Sequence, residues 1–182
     1  MIGRRPFLAV PLVSLPSAGA QRERYAFDQD SGRIGFTFRD LVFTATGRLG
    51  RFRATVMLDP GHPMSMAVDC VLDMRTIEVS IPGATERLRS EAFFDVGHFP
   101  EARFHGEADG QGDATSFSIL GELTMRNVTR PFRMRSRLVE RRSGMVRFQA
   151  DGEISRGEFG LLADRALVSD AVELNVDAWV VL

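Results

Sequence analysis

Lysine is missing altogether from this 182-residue chain, so all 23 of its basic residues are arginine. Uniform replacement of one cation by the other is a habit of the whole chain rather than a local device for gripping phosphate. Cysteine occurs once, at Cys70, which excludes an intramolecular disulfide and any site built from several thiolates. Histidine occurs three times, at His62, His98 and His105, and none has a Cys, His or acid pair at metal-ligand spacing. There is no G-x-S-x-G elbow, no phosphate-cradling glycine loop and no local Cys/His dyad. No stretch approaches the roughly 20 apolar residues that a membrane-spanning helix requires. Charge of one sign is lacking too: 24 acidic residues nearly balance the arginines, which argues against a nucleic-acid partner.

The first twenty residues differ from the rest. Arg4 and Arg5 precede an apolar run from Phe7 to Leu15, and Ala18-Gly19-Ala20 follows. A basic start, a short apolar centre and an A-x-A end predict a secretory signal peptide over residues 1–20, cleaved after Ala20. Its removal takes two arginines and no acid, leaving 21 basic against 24 acidic residues and a net charge of −3. The remainder, residues 21–182, contains no internal repeat, linker or low-complexity run and is read as one domain.

From residue 25 onward the hydrophobic period is two. Ile34, Phe36 and Phe38 alternate with polar residues; so do Phe52, Ala54, Val56 and Leu58, and then Met66, Val68, Cys70, Leu72 and Met74. Five further runs share this pattern: Phe104 to Ala108, Phe117 to Met125, Phe132 to Leu138, Val146 to Ile154, and Val172 to Val180. Eight strands with one apolar face each predict an all-β fold, an antiparallel barrel or a sandwich. Asp109 to Asp113 is read as a turn, and Arg156 to Asp170 as a long connection able to drape over a barrel mouth. Arg130, Arg133, Arg135, Arg137, Arg141 and Arg142 cluster in the sixth strand region. Alternation makes those within the strand its outward face, with a bidentate anion site as the rival reading.

One stretch breaks the alternation. Leu88 to Phe104, LRSEAFFDVGHFPEARF, is read as a compact helical or looped insert that plugs one end of the barrel, with Pro100 restarting extended chain. On the strands, large and very small residues share the inward phase: phenylalanines alternate with Ala54, Gly106, Ala108, Gly121, Ala150, Gly152 and Ala178. An eight-stranded barrel is either filled by side chains or holds one small ligand, and parity alone leaves both readings open.

A family resemblance bears on that choice. The segment 88–104 resembles the central signature of the YceI-like family of polyisoprenoid-binding, lipocalin-like proteins. Gly121 to Pro131, GELTMRNVTRP, resembles its G-x-L-T-x-x-G-V-T-R-P segment; Ile154 to Leu161, ISRGEFGL, resembles its I-x-R-x-x-F-G-L segment; and Phe27 to Phe36 resembles its opening strand. Asp40 stands where the family usually has His, Asn127 where it has Gly, and Tyr25 near a common Trp. The resemblance implies a periplasmic, eight-stranded lipocalin-like β-barrel, often a homodimer, that carries a polyisoprenoid or similar long-chain amphiphile. No cofactor or metal is implied, although a quinone-like lipid fits as a bound ligand. Parity and resemblance together nominate Phe36, Phe38, Phe52, Val56, Val68, Leu72, Phe93, Phe104, Phe117, Ile119, Gly121, Phe132, Met134, Phe148, Ala150, Leu174 and Val176 as ligand contacts. No catalytic residue is nominated. The alternatives are an isomerase- or cyclase-type enzyme working in the lumen, which needs a buried acid and His facing the cavity, and a structural or stress-interaction module with a filled core.

Overall fold

The computed structural model describes residues 22–59, 62–113 and 115–182; the expected signal peptide lies outside the described residues. Within them, nine strands form one antiparallel sheet: β1 (Glu23–Asp28), β2 (Gly32–Asp40), β3 (Thr44–Asp59), β4 (His62–Val79), β5 (Glu101–Gly112), β6 (Ser116–Met125), β7 (Val128–Arg142), β8 (Met145–Ser155) and β9 (Val168–Val181). Because β3 pairs with both β2 and β4, strands β2 to β9 close into an eight-stranded barrel. No helix among the described residues is long and apolar enough to cross a membrane.

The barrel has the expected eight strands, and β1 is an additional strand paired with β3. β3 is long enough to be shared: its first half pairs with β2, from Thr44↔Arg39 to Leu49↔Ile34, and its second half with β1, from Arg53↔Asp28 to Leu58↔Glu23. Between them the chain kinks at Asp28–Ser31, where the Ser31 amide donates to the Asp28 carbonyl at 3.1 Å and the Asp30 amide to the Asp28 carboxylate at 3.0 Å.

Alternation in sequence becomes alternation in burial. On β5, Ala102, Phe104 and Gly106 are buried between exposed neighbours, and on β7 Phe132, Met134 and Ser136 are buried while Arg133, Arg135 and Arg137 face solvent. Arg135 pairs with Asp151 on β8 at 2.9 Å, Arg142 with Glu140 at 2.6 Å, and Arg133 lies 3.9 Å from Asp109, so three of the six arginines are engaged by acids on the outer face rather than gathered into an anion cradle. The β6–β7 hairpin turns on Arg126 (φ 50°) and Asn127 (φ 59°), between the paired residues Met125 and Val128. Asparagine tolerates this left-handed backbone best after glycine, which explains how Asn127 serves where the segment it resembles has Gly. The expected turn at 109–113 falls later: β5 runs through an irregular register to Gly112, and Asp113 makes the turn by accepting the Thr115 and Ser116 amides at 2.7 and 2.8 Å.

The insert also begins earlier than expected. A short helix, α1 (Ala84–Arg89), precedes tight turns over 90–99, and β5 starts at Glu101, directly after Pro100. The Ser90 carbonyl accepts the Phe93 and Asp95 amides at 3.0 and 2.8 Å, while the Arg89 side chain ties the helix to the Ile77 carbonyl on β4 at 3.0 Å. Since 90–99 is not helical, Phe93 and Phe94 are free to face the same cavity, and they do.

Candidate functional site

The barrel is hollow. An inner chamber of about 110 Å³ and an outer chamber of about 300 Å³ share four lining residues, Ile34, Leu72, Leu123 and Leu174, which stand at their junction. The outer chamber reaches the lower end of the size range of ordinary small-molecule pockets. Its walls come from β2, β4 and β9, and the insert contributes Ala84, Arg87, Leu88, Phe93 and Phe94, so this segment walls the mouth as well as narrowing it.

Polar groups in the lumen are few. In the inner chamber Ser136, 2 % exposed, is the one hydroxyl among the described lining residues; it sits opposite Ala150 on β8 and Phe117 on β6. Cys70 also lines this chamber, and burial pushes its thiol pKa up to about 12, so it stays neutral and acts as a small apolar group.

Among the described lining residues, charge appears only in the outer chamber, at Asp40, Arg87, Arg156 and Asp164, which we take as its mouth. Arg156 follows β8, in a 3-10 turn (Arg156–Phe159), and is 5 % exposed. Its guanidinium donates to the carbonyls of Leu161 and Ala163 at 2.7 Å, Ser169 at 2.9 Å and Val168 at 3.1 Å, so the loop between β8 and β9 is folded around one cation. Desolvation lowers the pKa of this guanidinium, but arginine remains charged at any physiological pH. Arg87 on α1 reaches across the mouth to the same loop: its Nη2 lies 2.7 and 2.9 Å from the two Asp164 carboxylate oxygens and its Nε 3.0 Å from one of them. That hydrogen bonding holds the Asp164 carboxyl below the usual carboxylate range. Arg87 also lies over the Phe93 ring, 5.6 Å from its centroid. Both mouth cations are therefore already engaged by the protein.

The structure brings together most of the nominated residues. Val56, Val68, Phe104, Ile119, Phe132, Met134, Phe148, Ala150 and Val176 line the inner chamber; Phe36, Phe38 and Phe93 line the outer; Leu72 and Leu174 line both. Three nominations fall outside. Phe52 packs edge-on against Phe27 at 5.9 Å and Phe117 against Phe148 at 6.5 Å, both as wall-thickening core. Gly121 is small for a different reason than ligand space: a Cβ there would lie 2.1 Å from the His105 carbonyl oxygen. Parity marked Ile34, Cys70 and Leu123 as inward without nominating them, whereas Arg156 carried no signal beyond its place in the I-x-R-x-x-F-G-L segment. The three histidines lie outside the lumen, each against an aspartate: His62 with Asp59 at 3.0 Å, His98 with Asp95 at 2.9 Å and His105 with Asp69 at 2.6 Å.

Closed antiparallel strands around a largely apolar lumen define the chain as a hollow, lipocalin-like barrel. More particularly, it belongs to the YceI-like family, whose domain matches residues 25–180. The UPF0312 protein of Pectobacterium atrosepticum is 27 % identical over 186 residues, covering 95 % of each chain. Among solved structures, BcnA of Burkholderia cenocepacia superposes with a TM-score of 0.73 at 16 % identity, over 81 % of this chain and 95 % of that one. A polyisoprenoid binding domain from Saccharophagus degradans, implicated in plant cell wall breakdown, superposes with a TM-score of 0.67 at 12 % identity, over 88 % and 98 % of the two chains. At these identities the structural likeness speaks to the fold.

Proposed function

We propose that this protein binds and carries a long apolar molecule of the polyisoprenoid class within the barrel, without transforming it. The observation that carries this reading is the two-chambered lumen, whose inner chamber is lined almost wholly by apolar side chains and whose outer chamber is walled in part by the insert. The Saccharophagus neighbour, a polyisoprenoid binding domain, supports the ligand class. Arg87 and Arg156 are matched at the mouth by Asp40 and Asp164, and Arg156 already has its guanidinium on four carbonyls, which favours a head group without net charge. We place this activity in the periplasm, on the strength of the expected signal peptide. Mass spectrometry of an organic extract from gently purified protein tests the reading. A stoichiometric isoprenoid is expected; an empty extract together with failure to bind a fluorescent prenyl probe would overturn it.

A further inference from the structure

The mouth of the outer chamber carries apolar side chains that turn away from it. Leu41, Val42 and Phe43 in the β2–β3 turn, and Leu162 and Leu167 in the loop between β8 and β9, are between 49 % and 85 % exposed. The two loops adjoin. Asp40 pairs with Val168, and the Arg39 amide donates to the Ser169 hydroxyl at 3.1 Å, so Leu41 and Leu167 each sit one residue beyond a paired position at the same end of the barrel. The same loops also supply chamber lining, through Asp40, Leu161, Asp164 and Val168. The exposed apolar tips thus stand on the same two segments that line the charged mouth of the lumen.

Large exposed apolar side chains gathered on adjoining turns mark a contact surface, and their setting indicates the partner. A stable protein interface needs about 800 Å² on each partner, more than two short turns present. A bilayer needs only protruding apolar tips with cations beside them. Two exposed arginines stand in that position: Arg39, two residues before Leu41, and Arg165, between Leu162 and Leu167. Neither is in a salt bridge among the described residues. The acids around them are Asp40, beside Leu41; Asp164, paired with Arg87; Asp170, which accepts from the Ser155 hydroxyl and the Gly157 amide and feels the charge of Arg165; and Glu153 and Glu173, which share a groove of the barrel wall with Arg39.

We propose that these two loops dock the barrel, mouth first, onto a lipid bilayer containing anionic head groups, so that an apolar chain passes between bilayer and lumen without crossing water. This rests on the carrier reading for its purpose but not for its test. Flotation of the mature protein, beginning at Gln21, with phosphatidylcholine vesicles, with and without phosphatidylglycerol, decides it. Wild type is expected to float with the anionic vesicles and to be released by salt. Val42→Asp, or Leu162→Asp on the other loop, should weaken flotation more than about tenfold, as a charge does on an inserted apolar tip. Arg39→Gln and Arg165→Gln should each weaken it roughly fivefold on anionic vesicles alone. All four positions are exposed, and equal binding of a water-soluble, short-chain prenyl probe by every variant confirms an intact barrel. Absence of flotation by wild type, or unchanged flotation of both aspartate variants, overturns the proposal. So does a wild-type dimer that Val42→Asp converts to monomer with flotation unchanged, which would make the patch a contact between copies. Failure of the probe to bind while flotation persists would instead count against the carrier reading.

Discussion

At Gly121 a methyl group has no room: an added Cβ would meet the His105 carbonyl oxygen at 2.1 Å and the Cα of Gly106, its partner across the β5–β6 ladder, at 2.5 Å. Gly121→Ala should therefore force strands β5 and β6 apart and destabilise the barrel by at least about 1–3 kcal/mol, the usual cost of overpacking. A urea melt checks it, and an unshifted midpoint would mean the strands part without cost. On the outer face of the neighbouring β4–β5 ladder, His105 Nδ1 lies 2.6 Å from Asp69 and the histidine pKa is raised from its ordinary 6.5, first by that hydrogen bond and then by the carboxylate charge. The stabilisation is fully present below the ordinary value and is lost as pH rises through the raised one. His105→Gln should thus reduce the fall in melting temperature between about pH 6 and pH 8, slightly because the pair is exposed and His98 beside Asp95 shifts in the same direction. A pH slope identical to wild type would rule out this role.

Among the elements, the loop between β8 and β9 depends most on a single side chain. Arg156 supplies hydrogen bonds to two of its carbonyls, Leu161 and Ala163, and to two at the start of β9, Val168 and Ser169; around it the Leu161 amide donates to the Arg156 carbonyl at 3.1 Å, the Leu167 and Val168 amides to the Asp164 carbonyl at 2.9 Å, and Arg126 to the Gly160 carbonyl at 3.1 Å. Arg156→Met keeps the apolar stem but leaves those carbonyls without their donor. We expect amide exchange at Leu161, Leu167 and Val168 to accelerate markedly while the strand amides of β6 to β8 stay protected. Acceleration throughout the barrel would show that the loop and the barrel open as one unit. Asp164→Asn is expected to act more weakly and on the same loop, because it removes only the link to α1 through Arg87.

For the molecule as a whole, the deciding quantity is unfilled space. Ala150 lines the inner chamber opposite Ser136, so Ala150→Phe places a ring where the lumen is open. Binding of a fluorescent polyprenyl analogue should fall sharply while the melting curve moves little. If the ring instead displaces packed side chains, a loss of about 1–3 kcal/mol would appear with or without ligand, and the hollow barrel would be the wrong description. Arg137→Phe, outward on β7, is the control and should leave binding intact.

Period-two alternation was legible in the sequence because successive side chains on a strand must point to opposite faces, whatever the strand pairs with. Hence the all-β class, the outward arginines of β7, the restart at Pro100 and most of the lining were readable residue by residue. Pairing and volume were not. β1 is a strand only because the far half of β3 offers it an edge, a relation between Phe27 and Ala54 that neither local sequence contains. Phe52 and Gly121 share the inward phase with Phe104 and Ala150, yet the first is spent on Phe27 and the second on a close backbone approach. Phase tells which way a side chain points; the room left in front of it is set by what seven other strands bring to the same place. The mouth is decided in the same way, since Arg156, Arg87 and the apolar turns at 41–43 and 162–167 acquire their roles only when ring closure sets two distant loops side by side.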